Sequence, residues 1–342
     1  MNLALDATYS VGSDLSGVGV YSREMLYGLA GAHPADRFEF CYRSQRFLRS
    51  FRERLPQNAG RYLLSESRAP RSADVFHGLN QRLPRTRLRQ AVTTFHDLFV
   101  LTGDYSTPDF RGRFAEQAGD AAARSDRIIA VSAFTARQVI DLLGVEKDRV
   151  HVVHHGVRPL SRSATVREKV ILHVGAIQRR KNIVRLVEAF DQVDDEWQLV
   201  LAGSQGYGAA EIMARIDGSR SRHRIQILGY VPEGRLAEWY ARASIFAFPS
   251  LDEGFGMPVL EAMAAGTPVI ASNRAAIPEV AGDAAWLVNP EDTVDLAAAL
   301  VELTRDTERR AELSRRGLAR AAQFTWQNAT EKTWRILTGM GG

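Results

Sequence analysis

Only one cysteine, Cys41, occurs in the 342 residues. That excludes an intramolecular disulfide and any cysteine-cluster metal site; Cys41 itself reads as a small buried side chain in a strand. Lysine is almost as scarce. Of 44 basic residues only Lys147, Lys169, Lys181 and Lys332 are lysines, so a lysine inside a motif is not background. No apolar run approaches the ~18 residues of a membrane-spanning helix. The start, Met1-Asn2-Leu3-Ala4-Leu5-Asp6, lacks the basic head and apolar stretch of a secretion signal. Also missing are the H-E-x-x-H spacing of a zinc site, the phosphate loop of nucleotide hydrolases and the G-x-S-x-G elbow of serine hydrolases. These absences predict a cytoplasmic chain; neither a metal cofactor nor a nucleic-acid partner is expected.

What is present is ordinary in bulk: 45% hydrophobic, 25% charged, formal net charge +4. At ~150 residues per domain the length suggests two domains. The charge is unevenly spread. Residues 43–89 hold twelve arginines against Glu53, Glu66 and Asp74.

Short apolar segments alternate with helical patterns. Strands are expected at Asn2–Ala7, Arg37–Tyr42, Ala91–Phe95, Asp126–Val131 and Val150–Val153, with helices at Val18–Leu29 and Ala133–Leu143, the latter capped by Ser132. After a polar, proline-containing linker at 157–168, a second series has strands at Val170–Val174, Gln198–Ala202, Ile225–Leu228, Ile245–Phe248 and Pro268–Ala271, and a helix at Asn182–Phe190. From Thr293 onward the chain reads as helix throughout, and His173 reads as a core residue. Strands between helices imply two parallel, doubly wound α/β domains, 1–160 and 161–342, with ligand sites at the carboxyl ends of the strands, facing a cleft. The last helix is free to pack back on the first domain.

The chemistry-bearing segments sit at such strand ends. Glu253-Gly254-Phe255-Gly256-Met257-Pro258-Val259-Leu260-Glu261 follows a strand and opens a helix, where glycines let backbone N–H groups approach a phosphate. Glu253 and Glu261 offer carboxylates to sugar hydroxyls. Gly175-Ala-Ile-Gln-Arg179-Arg180-Lys181-Asn182 places three cations at a helix start, against the helix dipole, which points to a bound anion. Ser16-Gly17-Val18-Gly19-Val20-Tyr21 is too far from its strand for a dinucleotide fingerprint, which argues against a nicotinamide-dependent oxidoreductase. His96-Asp97 ends another strand.

This combination resembles the retaining glycosyltransferases of family 4, which have the GT-B fold of two Rossmann-like domains facing a cleft. The resemblance spans nearly the whole chain: Gly17-x-Gly19-x-Tyr21, Phe95-His96-Asp97, Val131-Ser132-x-Phe-Thr, His155-Gly156-Val157, Val174-Gly175…Arg180-Lys181-Asn182, Gly229-Tyr230-Val231-Pro232, Glu253-x7-Glu261 and Phe324-Thr-Trp326. It is greatest to bacterial mannosyl- and related transferases of polysaccharide assembly. The resemblance implies an acceptor-binding N-terminal domain and a nucleotide-sugar-binding C-terminal one. Arg180 and Lys181 would neutralise the leaving diphosphate, Glu261 would take the ribose hydroxyls, and Glu253 the hydroxyls of the transferred sugar. Gly175, Gly254, Phe255, Gly256 and Met257 would meet sugar and phosphate, Tyr230 and Val231 would flank the base, and Gly17 and Gly19 would close on the diphosphate. His96 would lie beside the sugar, with Asp97 and Tyr21 on the acceptor side. Many members have Gly-Arg where this chain has Gly175-Ala176, so the second phosphate cation is Arg179 or Arg180. The resemblance implies no carboxylate nucleophile; Asp97 and Glu253 are the candidates should one exist.

The implied donor is GDP-mannose, with dTDP-rhamnose or a UDP-sugar as alternatives, and the implied acceptor a glycan or a polyprenyl-diphosphate-linked sugar. A GT-B sugar-nucleotide epimerase and an inactive sugar-nucleotide-binding subunit are the competing readings. Finally, Phe47, Leu48, Phe51 and Leu55 form a helical apolar stripe among arginines. It is either a core-facing helix with a solvated arginine face, or a surface that rests peripherally on an anionic inner-leaflet membrane.

Overall fold

The computed structural model describes residues 1–12, 14–159 and 166–339. It divides into two compact units. Unit 1 comprises Met1–Thr102, Thr107–Gly156 and the segment from Thr325; unit 2 comprises Gly103–Ser106 and Val157–Phe324. The break in the chain therefore falls between Gly156 and Val157. The expected boundary at 160/161 lies outside the described residues.

Unit 1 is built on a seven-stranded parallel sheet: β1 (Asn2–Asp6), β2 (Arg37–Arg43), β3 (Ala59–Leu64), β4 (Val75–Gly78), β5 (Ala91–Phe95), β6 (Arg127–Ala130) and β7 (Val150–Val152), in the order β3-β2-β1-β4-β5-β6-β7. Its helices are α1 (Gly17–Ala32), α2 (Ser44–Ser50), α3 (Phe99–Thr102), α4 (Pro108–Arg124) and α5 (Ala133–Leu143). Unit 2 has six parallel strands: β8 (Glu168–Val174), β9 (Gln198–Ala202), β10 (Ile225–Gly229), β11 (Ala243–Phe248), β12 (Val269–Ser272) and β13 (Trp286–Val288), ordered β10-β9-β8-β11-β12-β13. Around it stand α6 (Ile183–Phe190), α7 (Ala209–Asp217), α8 (Glu233–Arg242), α9 (Met257–Ala264), α10 (Ile277–Ala281), α11 (Thr293–Arg305) and α12 (Thr307–Ala321); α13 (Trp326–Leu337) follows. Both strand orders reverse beside the first strand of the sheet, at β1/β4 and at β8/β11, and such switch points open a crevice at the carboxyl edge. Two doubly wound parallel sheets are the layers of the GT-B fold.

Local chemistry explains the elements. Central strands are unbroken apolar runs, as in Ala243–Phe248, where every residue is buried because helices cover both faces. Ser132 does cap α5, accepting from the Thr135 N–H at 3.0 Å, and Gly144 ends it in the left-handed region at φ 65°. Thr107 and Pro108 open α4 in the same way. Cys41 is fully buried in β2, and His173 in β8, where the Ala247 carbonyl accepts from its Nδ1 at 2.9 Å.

Three strands fall outside the expected set. β3 is half exposed, and β4 and β13 have only four and three residues, too few for a period-2 signal. The C-terminal region is not one helical stretch but three helices. Asp306 stops α11 and caps α12, accepting from the Arg309 N–H at 2.8 Å. Then α13 leaves unit 2 and joins unit 1: Ala329, Ile336 and Leu337 enter its core, Arg127 Nη1 donates to the Ile336 carbonyl at 3.0 Å, and Trp334 stacks on His33. At about 1.5–3 kcal/mol per buried aliphatic side chain, this docking is substantial.

The stripe in residues 47–55 needs correction. Helix α2 ends at Ser50, so the four residues do not form one helical stripe, although the Phe47 and Phe51 rings meet edge-on at 5.5 Å. Phe47 and Leu55 pack against the unit 1 core, while Leu48 and Phe51 project outward, 80% and 61% exposed. The arginines also divide. Arg43 is buried and donates to Glu66 Oε1 at 2.6 Å, the same oxygen that Arg82 takes at 2.6 Å; Arg89 pairs with Asp74 at 2.9 Å.

Candidate active site

The two cation- and glycine-bearing segments of unit 2 follow adjacent strands. β8 and β11 pair through Ile171↔Ile245 and Leu172↔Phe246, so the loops that leave them emerge side by side at the switch point. Gly175, directly after β8, has φ 154°, and a Cβ there would meet the Lys181 side chain at 3.0 Å. Arg179–Lys181 then form one 3-10 turn, closed by Asn182 at φ 57°. Asn182 tolerates that left-handed conformation, and its Nδ2 donates to the carbonyls of Pro249 (3.0 Å) and Pro290 (2.6 Å). The Leu251 N–H donates to the Arg180 carbonyl at 2.9 Å. The turn after β8 is thereby sewn to the loop after β11.

Three charges converge across that seam. Lys181 Nζ lies 2.6 Å from Glu253 Oε1, and Arg180 Nη1 lies 2.8 Å from Glu253 Oε2. Arg180 also donates to the Asp252 carbonyl, and Lys181 sits 4.7 Å from the centre of the Phe248 ring. All three side chains are buried. Burial alone would raise the Glu253 pKa, but the two cations outweigh it and hold the carboxyl down, at about 2. Arg180 and Lys181 are thus held beside Glu253 in a low-dielectric pocket, where electrostatic interactions are strengthened. Arg179 is placed otherwise. It is exposed and engaged with Glu211 (2.9 Å) and Asp104 (3.2 Å). Of the two arginines left open by the sequence, Arg180 is the one buried beside Glu253.

The glycine loop lies on the same edge. Gly254, Phe255 and Gly256 are buried, and Phe255 meets Phe324 edge-on. Gly256 precedes α9 at φ 100°, and a Cβ there would come within 2.5 Å of Ile277 Cδ1, so a side chain is barred twice over. Met257 opens α9. Glu261, one turn in, is half buried and accepts from the Tyr240 hydroxyl at 2.8 Å. Burial raises its pKa while the tyrosine hydrogen bond opposes the rise. Tyr230, 48% exposed, and half-buried Val231 follow β10.

A profile of glycosyl transferases group 1 matches residues 161–320, and one of glycosyltransferase family 4 matches residues 17–159. The chain is 30% identical to the O-antigen chain mannosyltransferase B of Escherichia coli, across 96% of this chain and 97% of that one. The chain belongs to glycosyltransferase family 4. Its fold is that of sucrose-phosphate synthase from Thermosynechococcus elongatus (TM-score 0.82, 20% identity, 99% of both chains). HepE of Anabaena, crystallised with UDP-glucose, has the same fold (TM-score 0.75, 18% identity, 99% of both chains).

The residues of unit 1 that the sequence put forward for this transferase fall into two groups. Ser16 caps α1 through the Gly19 N–H, and Gly19 is shut in, since a Cβ on it would meet the Tyr9 carbonyl at 2.8 Å; Gly17 is open. Tyr21, expected on the acceptor side, is 2% exposed and its hydroxyl is 2.9 Å from Thr94 Oγ1. His96 is buried with its ring edge-on to Tyr21 and stacked near His155. The Leu79 carbonyl accepts from Nε2 at 2.9 Å, which leaves Nδ1 as an acceptor, and burial lowers the His96 pKa to about 4. Asp97 follows at the same carboxyl edge, half buried. Sequence reasoning missed Tyr240 and Phe248, which contact the predicted charges; both lie in ordinary helix and strand patterns that carry no motif.

Proposed function

We propose that this transferase moves a hexose, mannose from GDP-mannose, to a glycan or a polyprenyl-diphosphate-linked acceptor with retention at the anomeric carbon and without a metal ion. The observation that carries the reading is the buried Arg180–Glu253–Lys181 cluster at the switch point of unit 2. When the anomeric C–O bond breaks, its electron pair goes to the diphosphate. Two fixed cations and the N–H groups of the glycine loop stabilise that charge without reorganising. The acceptor hydroxyl adds to the same face, and its proton goes to the leaving phosphate oxygen. Glu253 has both oxygens bound to cations and a strongly depressed pKa, a poor nucleophile, which supports front-face attack over a covalent intermediate. In this reading Glu261 takes the ribose hydroxyls, and Glu253 keeps the two cations in place beside the sugar.

The name of the E. coli relative supports mannose and polysaccharide assembly. The UDP-glucose complex of HepE favours the second reading, a UDP-sugar donor. Calorimetric titration with GDP, UDP and dTDP, followed by nucleotide release from a panel of sugar donors with and without lipid extract, separates them. Tighter binding of UDP than of GDP overturns the GDP choice. Sugar release without an acceptor would favour an epimerase or hydrolase, and no turnover of any donor an inactive binding subunit.

Outward-facing Leu48 and Phe51 stand among exposed Arg49, Arg52 and Arg54, and no described helix is long and apolar enough to cross a membrane. This patch supports a peripheral seat on anionic lipid, at roughly 1 kcal/mol per well-placed arginine. Flotation with anionic but not neutral liposomes, abolished by salt, is the expected result; equal recovery with both, or with neither, overturns it and favours a soluble acceptor.

A further inference from the structure

The carboxylate of Glu261 is used only in part within the protein. Oε2 accepts from Tyr240, and among the described residues no hydrogen bond is made to Oε1. A half-buried carboxylate with one oxygen fixed and the other open suits a neutral pair of adjacent hydroxyls, which can bridge the open lone pairs without importing charge.

Tyr240 is placed to fix that orientation. It sits near the end of α8, 1% exposed, its ring tilted against Phe246 at 5.6 Å. A buried phenol rarely goes without a partner, because an unpaired buried hydroxyl is costly, and here the partner is the Glu261 carboxylate oxygen. The relative position of the two helices is itself locked. Arg167 Nη1 donates to the carbonyls of Tyr240 (3.2 Å) and Ala243 (2.6 Å) at the end of α8, and Nη2 donates to the Ala265 carbonyl (2.8 Å) at the end of α9. One guanidinium thus caps two helix C-termini, where the dipole favours a cation. Thr267 Oγ1 adds a bond of 2.6 Å to the Tyr240 carbonyl. The latch leaves the Tyr240 hydroxyl little freedom to drift from Glu261.

We infer that Tyr240 is a positioning residue for donor specificity: by holding Oε2 it aims Oε1 of Glu261 at the 2′- and 3′-hydroxyls, so that the site selects ribonucleoside over 2′-deoxyribonucleoside diphosphates. The inference rests on the proposed contact between Glu261 and the ribose. It also makes a deoxyribonucleotide sugar, the dTDP alternative, the disfavoured donor class.

The test compares calorimetric Kd values for GDP and 2′-deoxy-GDP, and for UDP and 2′-deoxy-UDP, in the wild type, Tyr240→Phe and Glu261→Ala. In the wild type the ribonucleotide is expected to bind at least ~10-fold more tightly. Tyr240→Phe should shrink that ratio to roughly 3-fold by weakening only the ribonucleotide, and Glu261→Ala should bring it close to 1. A merely structural tyrosine would weaken ribo and deoxy forms alike. An unchanged ratio in Tyr240→Phe overturns the inference while leaving the Glu261 contact standing. A wild-type ratio near 1, or one that survives Glu261→Ala, overturns the ribose contact itself. Loss of the fold on removing one oxygen would make Tyr240 a structural residue and also overturn the inference.

Discussion

At the carboxyl end of β5, burial leaves His96 neutral against Tyr21, with His77 and His155 nearby in the same state, their pKa values lowered to about 3 for His77 and well below the usual range for His155. At the carboxyl ends of β8 and β11, equally deep burial surrounds Glu253, yet Arg180 and Lys181 hold its carboxyl down, at about 2. The two sheets follow one plan, so burial by itself does not set the charge state. A histidine whose neighbours are aromatic rings and a carbonyl loses its proton. A glutamate placed 2.6 and 2.8 Å from cations on a sewn-together loop keeps its charge, because the Coulomb gain exceeds the desolvation cost at that geometry. In the proposed reading the second unit would meet the donor diphosphate with charged groups, and the first would offer neutral hydrogen-bonding groups.

The sharpest way to break this contrast is to remove one cation. Lys181→Ala should lower kcat by at least ~100-fold, about 3 kcal/mol of lost transition-state stabilisation, in steady-state assays with the productive donor. A wild-type rate would end the diphosphate role. The next effect is on stability. The buried histidines are neutral in the folded state, so the unfolded chain binds more protons below about pH 6.5, and stability falls as pH drops from there through the folded pKa values near 4. For His96 alone this amounts to roughly 2 kcal/mol at pH 5. Glu253 works in the opposite window: its contribution is present above about pH 4.5 and lost as pH falls through about 2. Thermal melts between pH 7 and 4.5 should thus decline, and His96→Gln should flatten that decline while Lys181→Ala should not; equal flattening by both would dissolve the distinction between the units. A smaller change is expected from Glu261→Ala, about a 10-fold rise in donor KM, near 1.4 kcal/mol, with kcat nearly unchanged. Smallest of all, EDTA should leave turnover unaltered if, as proposed, Arg180 and Lys181 supply the charge; restoration of a lost activity by Mg²⁺ or Mn²⁺ would contradict that.

Much of the molecule was legible in the residues themselves. Buried parallel strands need unbroken apolar runs, so β1, β5, β8, β9, β11 and β12 were visible, and Ser132 announced the start of α5. Glycines before helices and cations at a helix start are costly unless used, so Lys181, Glu253 and the Gly254–Gly256 loop stood out as candidates. These features are local, and short-range sequence carries them. Others depended on contacts between distant segments. Nothing in Arg179-Arg180-Lys181 says which arginine is buried; the 3-10 turn closed by Asn182 and its bonds to Pro249 and Pro290 decide it. Nothing in residues 47–55 says that the helix stops at Ser50, and only the packing of Phe47 and Leu55 on the core turns Leu48 and Phe51 outward. Tyr21 sits within a motif yet is drawn into the core by Thr94 and Trp326, and Tyr240 has no motif yet meets Glu261 because Arg167 ties two helix ends together. Periodicity fixes which face of an element is buried; only the tertiary fold chooses the partner that a polar group finds there, since that choice depends on residues scores of positions away.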